Sequence, residues 1–331
     1  MLTLGIETSC DETAASVCQD GQNVLSNIIS SQMDLHAPFA GVVPELACRS
    51  HLSNISDVVS RSLEESDCQS RHIDLISVTR GPGLIGALLI GTSFAGAFAQ
   101  MLGKPVVGVN HLEAHLCSGR LDHPNIEFPF IGLIVSGGHT MLILAKQLGE
   151  YQILGQTVDD AAGEAFDKVA SILSLPYPGG PSIQNEALKG NVSAFDFPRP
   201  MLHSKNLNFS FSGLKTAVLY RVQSMDKNNL PIADLAASFQ KSVIDVLVEK
   251  TIQATEETQI KKIVIGGGVT ANQLLRDRLT EKCQTEQIDL YLPTKAMCTD
   301  NAAMIASLGY YRYQSGLEKN PSLVAVDRWV F

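Results

Sequence analysis

The sequence predicts an α/β protein built from two duplicated halves, and three observations carry that prediction. Short apolar runs of strand character alternate with stretches of helical spacing along most of the chain. Each half opens on a strand–turn–strand meander. Sliding the chain by 127 residues superposes Gly5 on Gly132, Ser9 on Ser136 and Thr13 on Thr140, so both first turns read G-x-x-x-S-x-x-x-T. A short repeat set inside a repeated meander points to duplication.

In the first half, residues 2–6 form the opening strand, which runs into the polar turn Glu7-Thr8-Ser9-Cys10-Asp11-Glu12-Thr13. That turn offers hydroxyls, acids and backbone N–H groups to a ligand; taken alone it reads as an ordinary surface turn. Residues 14–19 make a second strand, Asp20-Gly21 is a hairpin signal, and residues 24–29 make a third strand. Residues 43–65 have helical spacing, with Pro44 in the first turn. A strand at 73–79 follows, and Gly81-Pro82-Gly83 breaks the chain. Residues 83–103 carry no charge over a length that can span a bilayer. The flanking α/β pattern predicts a buried helix against a sheet there, with a membrane span the lesser alternative.

Pro105 opens the short strand 106–109, and Asn110 is a good N-cap for the helix that carries His111-Leu112-Glu113-Ala114-His115. Residues four apart share a helix face, so both imidazoles can reach one metal ion. The plain alternative is two histidines that merely fall on one face, since H-x-x-x-H is a common pattern. In zinc proteases the acid directly follows the first histidine and activates the metal's water. Here the acid is Glu113, two places on, and at roughly 100° per residue it points about 200° away. A two-histidine site is therefore expected without zincin proteolysis, and its third ligand must come from elsewhere in the chain.

Around residues 122–129 the chain turns polar and proline-bearing, as expected of a domain junction. The second half repeats the meander: a strand at 131–135, the turn Ser136-Gly137-Gly138-His139, a strand at 140–145, a turn at Gly149-Glu150 and a strand at 151–154. Glycines at 137 and 138 let backbone amides approach a phosphate. Residues 163–169 start a helix, whereas Tyr177-Pro178-Gly179-Gly180-Pro181 predicts a structured loop. A strand at 261–265, the turn Gly266-Gly267-Gly268 and a helix from Val269 to about Glu281 would place amides and a helix N-terminus at a ligand. The run is not G-x-G-x-x-G with an acid about 20 residues on, so a dinucleotide fold is the weaker reading, and no G-K-[ST] follows, so it is not a P-loop. Before the last helix, Thr299 or Asp300 is the expected N-cap.

The 331 residues suffice for two ordinary domains, and 45% hydrophobic against 18% charged content indicates a packed globular protein. The net charge of −9 gives no field for unaided nucleic-acid binding. Residues 189–227 hold six Lys or Arg against two acids, the best local basic strip. The seven cysteines form no C-x-x-C pair, which suggests reduced thiols in a cytoplasmic protein. Glu7 and Asp11 interrupt any apolar leader, so no signal peptide is expected.

Taken in order, these motifs resemble the tRNA N6-adenosine threonylcarbamoyltransferase family, the universal Kae/Gcp/TsaD group, in its bacterial form. The matching pieces are residues 5–13, His111 to His115, Val135 to Thr140, Gly163 to Lys168, Tyr177 to Pro181, Ser210-Phe211-Ser212-Gly213-Leu214-Lys215-Thr216, residues 266–272 and Thr299-Asp300-Asn301-Ala302. Each alone is weak; the ordered set is specific. The resemblance implies the actin/Hsp70/sugar-kinase-like duplicated two-domain fold with a nucleotide cleft between the lobes. One lobe is expected at 1–122, completed by a C-terminal helix over about 300–331, and the other at 123–299. It further implies that His111, His115 and Asp300 bind one metal ion, iron(II) or alternatively zinc(II). Substrate positions fall on Ile134, Val135, Ser136, Gly137, Gly138, Asp167, Gly180 and Asn272. Asp11, Glu12 and His139 stand where a base or orienting group is wanted, and Gln184 stands where many relatives carry an acid. The implied substrates are threonylcarbamoyl-AMP and tRNA, with ATP or ADP as further cleft ligands. The implied partners are a shorter paralogous actin-like subunit and a small ATPase, with no membrane. The rival readings are a glycoprotein metallopeptidase, a small-molecule kinase of the same architecture and a non-catalytic ATP-binding scaffold.

Overall fold

A computed structural model describes residues 1–317, 323–329 and 331. The chain divides into two compact units, Met1–Ile126 with Thr299–Phe331, and Glu127–Cys298.

The first unit begins with the strands β1 (Leu2–Glu7), β2 (Glu12–Gln19) and β3 (Asn23–Ser31). Asp20 and Gly21 turn the β2–β3 hairpin with φ of 52° and 70°, the paired left-handed conformation that Asp-Gly tolerates. A one-turn helix α1 (Met33–His36) leads into α2 (Pro44–Glu65), then come β4 (Leu75–Gly81), α3 (Ile85–Leu102), β5 (Val106–Asn110) and α4 (His111–Asp122). The sheet order is β3-β2-β1-β4-β5. β1, β4 and β5 run parallel, and β2 and β3 are antiparallel. The parallel pairing gathers the carboxyl ends of β1, β4 and β5 at one end of the sheet, where open α/β sheets place their ligands.

α3 is less buried than its sequence predicts. Ala87, Leu88, Gly91, Thr92, Ala95 and Ala99 form its buried stripe, while Ile85, Leu89 and Met101 are exposed. Among the described residues it is the one helix long and apolar enough to cross a membrane by length and composition, with 33% of that span buried. An 18-residue helix packed on one side leaves its far face outward, so an uncharged sequence does not make it a core helix all round.

The second unit holds β6 (Phe130–Val135), β7 (Thr140–Gln147), β8 (Glu150–Gln156), β9 (Lys262–Gly266) and β10 (Asp289–Tyr291) in the order β10-β9-β6-β7-β8. Its helices are α5 (Ala162–Ile172), α6 (Gly179–Ala187), α7 (Ser212–Gln223), α8 (Ile232–Thr258), α9 (Gln273–Thr285) and the one-turn α10 (Lys295–Cys298). The topology repeats that of the first sheet strand for strand. The register repeats as well: Gly5 faces Ser16 in the first hairpin and Gly132 faces Ile143 in the second, each partner again displaced by 127. Phe166, Phe209, Phe211, Phe239 and Leu247 lie in the apolar core of this unit.

Two predicted elements of this unit differ. Gly179 begins α6 instead of lying in a loop, because prolines and glycines are tolerated in a first turn. The Asp167 carboxylate accepts the Gly179 N–H at 2.7 Å there. The glycine run after β9 opens a 3₁₀ turn at Gly268–Ala271, with Gly267 at φ 95°, so the helix starts only at Gln273. Asn272 caps it by accepting the Leu275 N–H at 3.2 Å.

The chain then returns to the first unit in α11 (Ala302–Gln314), which lies against Gly5 so closely that a Cβ there would sit 2.2 Å from the Ala302 carbonyl oxygen. This helix is shorter than the expected 300–331. It stops at Gln314, with Gly316 in the left-handed region at φ 70°, and residues 323–329 carry no helix. Residues 318–322 and 330 of the expected helix lie outside the described residues. Its N-cap is Asn301, whose side chain accepts the Met304 N–H at 3.1 Å, and not Thr299 or Asp300. Asp300 is thereby left to other work.

Candidate metal centre and phosphate turn

Asn110 ends β5 and accepts the Leu112 and Glu113 N–H groups at 2.8 and 3.2 Å, which starts α4 with His111 at its first position. His111 and His115 stand one turn apart with ring centroids 4.6 Å from each other. Asp300 Oδ1 lies 3.0 Å from His115 Nε2 and 3.5 Å from His111 Nε2. One ligand atom from each of the three residues falls within 4.8 Å of the others. Two imidazoles and a carboxylate form a donor set suited to a divalent transition metal, with positions left open for substrate. Glu113 takes no part. It is buried and pairs with Arg312 of α11 at 2.7 Å, on the side its place in the helix predicts.

Sequence reading assigned Glu7 no role of its own, yet it is the nearest support of this cluster. It is fully buried at the end of β1. Its carboxylate accepts the Ser9 N–H at 2.5 Å, the Thr79 hydroxyl of β4 at 2.6 Å and His111 Nδ1–H at 3.0 Å. A carboxylate only accepts, so Glu7 fixes a proton on Nδ1 and leaves Nε2 as the ring nitrogen that would give up its proton to a metal. Burial opposes charge on His111, but the Asp300 and Glu7 carboxylates outweigh it and hold its pKa up at about 9. Burial, then Asp300 and Asp11, push Glu12 up to about 10. Burial and the neighbouring acids also raise the Cys10 thiol well above its ordinary value, which argues against a thiolate nucleophile. Four carboxyls crowded about two imidazoles are a surrounding that a bound cation relieves. The one sequence signal for Glu7 was an acid closing an apolar strand, and the pairing of β1 with β4 and β5 gives it meaning.

In the second unit, Ser136 to His139 close a turn in which Ser136 N–H donates to the His139 carbonyl at 2.8 Å and His139 N–H to Ser136 Oγ at 3.1 Å. Gly137 and Gly138 are exposed, with nothing within 4 Å of where a Cβ would stand. The first turn of α5 abuts this loop. Gly163 N–H donates to the Ser136 carbonyl at 3.2 Å, and a Cβ on Gly163 would come 2.8 Å from Gly137 Cα. Turn amides and a helix N-terminus thus meet as an anion site requires. Ile134 and Val135 end buried strand β6. Asp167 sits on α5 at the start of α6, and Gly180 faces open space. Asn272 is buried, its Oδ1 capping α9 and its Nδ2 donating to Gln240 Oε1 at 2.7 Å. Gln184 accepts the Gln273 N–H at 2.7 Å, so it supports the start of α9.

Three of the six cations of the basic strip pair with acids of the same unit: Lys189 with Glu186, Arg199 with Asp196 and Asp245, and Lys215 with Asp160.

A duplicated five-stranded α/β fold with a buried His-His-Asp group defines a metal-competent member of the actin-like ATPase architecture. The fold is shared with solved structures. Component A of the (R)-2-hydroxyglutaryl-CoA dehydratase of Acidaminococcus fermentans matches with a TM-score of 0.55 at 17% identity, covering 95% of this chain and 99% of that one. HypF of T. kodakarensis matches with a TM-score of 0.63 at 15% identity, covering 95% of this chain and 48% of that one. The family model for TsaD, tRNA N6-adenosine threonylcarbamoyltransferase, matches residues 23–307. The tRNA N6-adenosine threonylcarbamoyltransferase of Thermosipho africanus is 52% identical over 326 residues, 98% of each chain. That of Caldicellulosiruptor saccharolyticus is 48% identical over 328 residues, 98% of this chain and 97% of the other. The chain belongs to the tRNA N6-adenosine threonylcarbamoyltransferase family.

Proposed function

We propose that the chain transfers the threonylcarbamoyl group of threonylcarbamoyl-AMP to N6 of the adenosine just 3′ of the anticodon in tRNAs that read codons beginning with A. The observation that carries this reading is the 52% identity over 98% of both chains to a transferase of that name. The N6 amine attacks the carbamoyl carbon of the mixed anhydride; the new C–N bond forms, the C–O bond to phosphate breaks, AMP leaves and N6 gives up one proton. His111, His115 and Asp300 hold the metal, iron(II) first and zinc(II) second. When bound, the ion serves as a Lewis acid that holds the donor and offsets negative charge. The Gly137 and Gly138 amides bind the phosphate, with Ile134, Val135 and Ser136 shaping the turn that presents them. Asp167 and Gly180 lie at the ribose and Asn272 at the adenine side. On the polar turn beside the metal cluster, Asp11 orients the amine or takes its proton, and Glu12, whose carboxyl is held protonated by burial and the neighbouring acids, orients it; His139, in the turn after β6, is the weaker candidate.

The chain acts in the cytoplasm with a shorter paralogous subunit and a small ATPase. The exposed apolar face of α2 and α3 supports such an assembly: Leu52 is 68% exposed, Ile85 49%, Leu89 51% and Met101 68%. A partner's own cations would add to the tRNA phosphate contacts of a chain of net charge −9 in which three of the six cations of the basic strip are paired with acids. Seven free cysteines accord with a reducing compartment. Glu113, turned toward Arg312, leaves the peptidase reading without its base.

The deciding experiment mixes the purified chain, its partners, a tRNA transcript and threonylcarbamoyl-AMP, and seeks the modified nucleoside by mass spectrometry. The expected result is one threonylcarbamoyl adduct per tRNA with AMP released in equal amount. Cleavage of a glycoprotein, or phosphorylation of a small molecule, in place of the adduct would overturn the reading.

A further inference from the structure

Two fully buried histidines and a buried glutamine lie behind the polar turn of the first unit, and the metal cluster uses none of them. Val43 N–H lies 3.3 Å from His36 Nδ1, His36 Nε2 is 3.3 Å from Gln32 Oε1, Gln32 Nε2 is 3.3 Å from His51 Nδ1, and His51 Nε2 is 2.9 Å from the Cys10 carbonyl oxygen. The Thr13 hydroxyl is also 2.7 Å from His51 Nδ1.

The direction of every bond follows from the two backbone groups at the ends. A backbone N–H only donates, so His36 Nδ1 is bare and its proton is on Nε2. That proton goes to Gln32 Oε1, leaving the Gln32 amide to donate onward. From the other end, a carbonyl only accepts, so His51 carries its proton on Nε2 and its Nδ1 is bare. Both ends thus demand the same thing of the middle, and the chain of bonds runs one way from Val43 to Cys10. Burial holds the His51 pKa below its ordinary value, in keeping with a neutral ring.

We infer that His51, backed by Gln32 and His36, is a positioning residue of the transfer reaction, gripping the acidic segment Asp11-Glu12 at both of its ends through the Cys10 carbonyl and the Thr13 hydroxyl. Gln32 adds a backbone bond, its N–H donating to the Asp11 carbonyl at 2.9 Å. Residues 8–11 lie outside the β1–β2 pairing, while Glu12 opens β2 opposite Ser31, so these bonds set where the Asp11 carboxyl stands and add to the strand pairing that holds Glu12. The inference rests on the reading that Asp11 and Glu12 serve the reaction.

The test separates the two. Asp11→Asn and Glu12→Gln, assayed in the reconstituted complex, probe the reading itself; wild-type rates in both would remove it. Gln32→Glu probes the inference, because it keeps the shape and replaces the Gln32 amide donor to His51 Nδ1 with an acceptor, leaving only the Thr13 hydroxyl to donate there. The expected result is a fall in kcat of roughly 10- to 100-fold with KM for tRNA and donor within about twofold. His51→Gln, which retains a donor for the Cys10 carbonyl, is expected to recover part of the rate lost in His51→Ala. Independently of activity and of any variant's folding, long-range ¹⁵N–¹H spectra of the wild-type protein at neutral pH should find both rings as the Nε2–H tautomer. A Nδ1–H tautomer at either ring, or wild-type kcat in Gln32→Glu, overturns the inference.

Discussion

The two sheets share strand order, direction and even the register of their first hairpins, yet the turns after β1 and β6 have opposite chemistry. The first, Glu7 to Thr13, is rich in acids and closes over buried imidazoles; the second, Ser136 to His139, presents two exposed glycines. On the proposed reading, one collects side chains for a cation, and the other clears side chains away so that amides meet an anion. The repeated frame would then aim a turn at a ligand in both units and leave the charge of that ligand to a handful of residues.

The contrast can be broken on either side. The largest effect is expected from His111→Ala or Asp300→Asn, which remove a ligand and should lower transfer by more than about a thousandfold and abolish metal retention. Iron or zinc content after gel filtration checks it, with an unchanged circular dichroism spectrum as control. Next, Glu113→Ala removes the carboxylate that Arg312 pairs with at 2.7 Å, in a pair 3% and 13% exposed, and should cost about 3–5 kcal/mol in denaturant unfolding. Glu7→Gln keeps the volume but no longer fixes the His111 proton on Nδ1, and metal affinity should fall roughly 10- to 100-fold in a chelator competition. On the other side, Gly163→Ala would drive a Cβ to 2.5 Å from the Ser136 carbonyl and displace the phosphate turn. The KM for the adenylate should rise about tenfold with metal binding unaltered. Gly137→Ala meets open space and should change KM far less. The smallest effect concerns pH. His51 has a folded pKa below its ordinary 6.5, so the unfolded chain binds the extra proton first. Stability should be full above about pH 6.5 and decline as pH falls below it; thermal melts across that range in wild type and His51→Gln check the sign.

Much of this was legible in the sequence. Asn110 before His111 and His115 fixed cap, helix and shared face, because helix geometry is a local property, and the same geometry turned Glu113 away from the histidine cluster. The repeated G-x-x-x-S-x-x-x-T foretold the second sheet. What local pattern could not supply was pairing across distance. Asp300 lies 185 residues from His115, and only the family resemblance proposed it. Glu7 meets His111 because β4 lies between β1 and β5, an order that no short stretch encodes. His36, Gln32 and His51 carry no spacing signal at all. The misread starts of α6 and α9 share a cause: glycine and proline runs were taken as breaks, whereas the caps that decide those starts, Asp167 and Asn272, come from outside the runs or at their far end.

Asp300 and α11 come after the whole second unit in the chain, although they belong to the first. During synthesis the β1 face at Gly5 stays uncovered, and the two histidines stay without their carboxylate, until almost the entire polypeptide has left the ribosome. A chain stalled before residue 300 therefore carries His111 and His115 without their carboxylate, so the proposed metal site would be completed only after the second unit has been made.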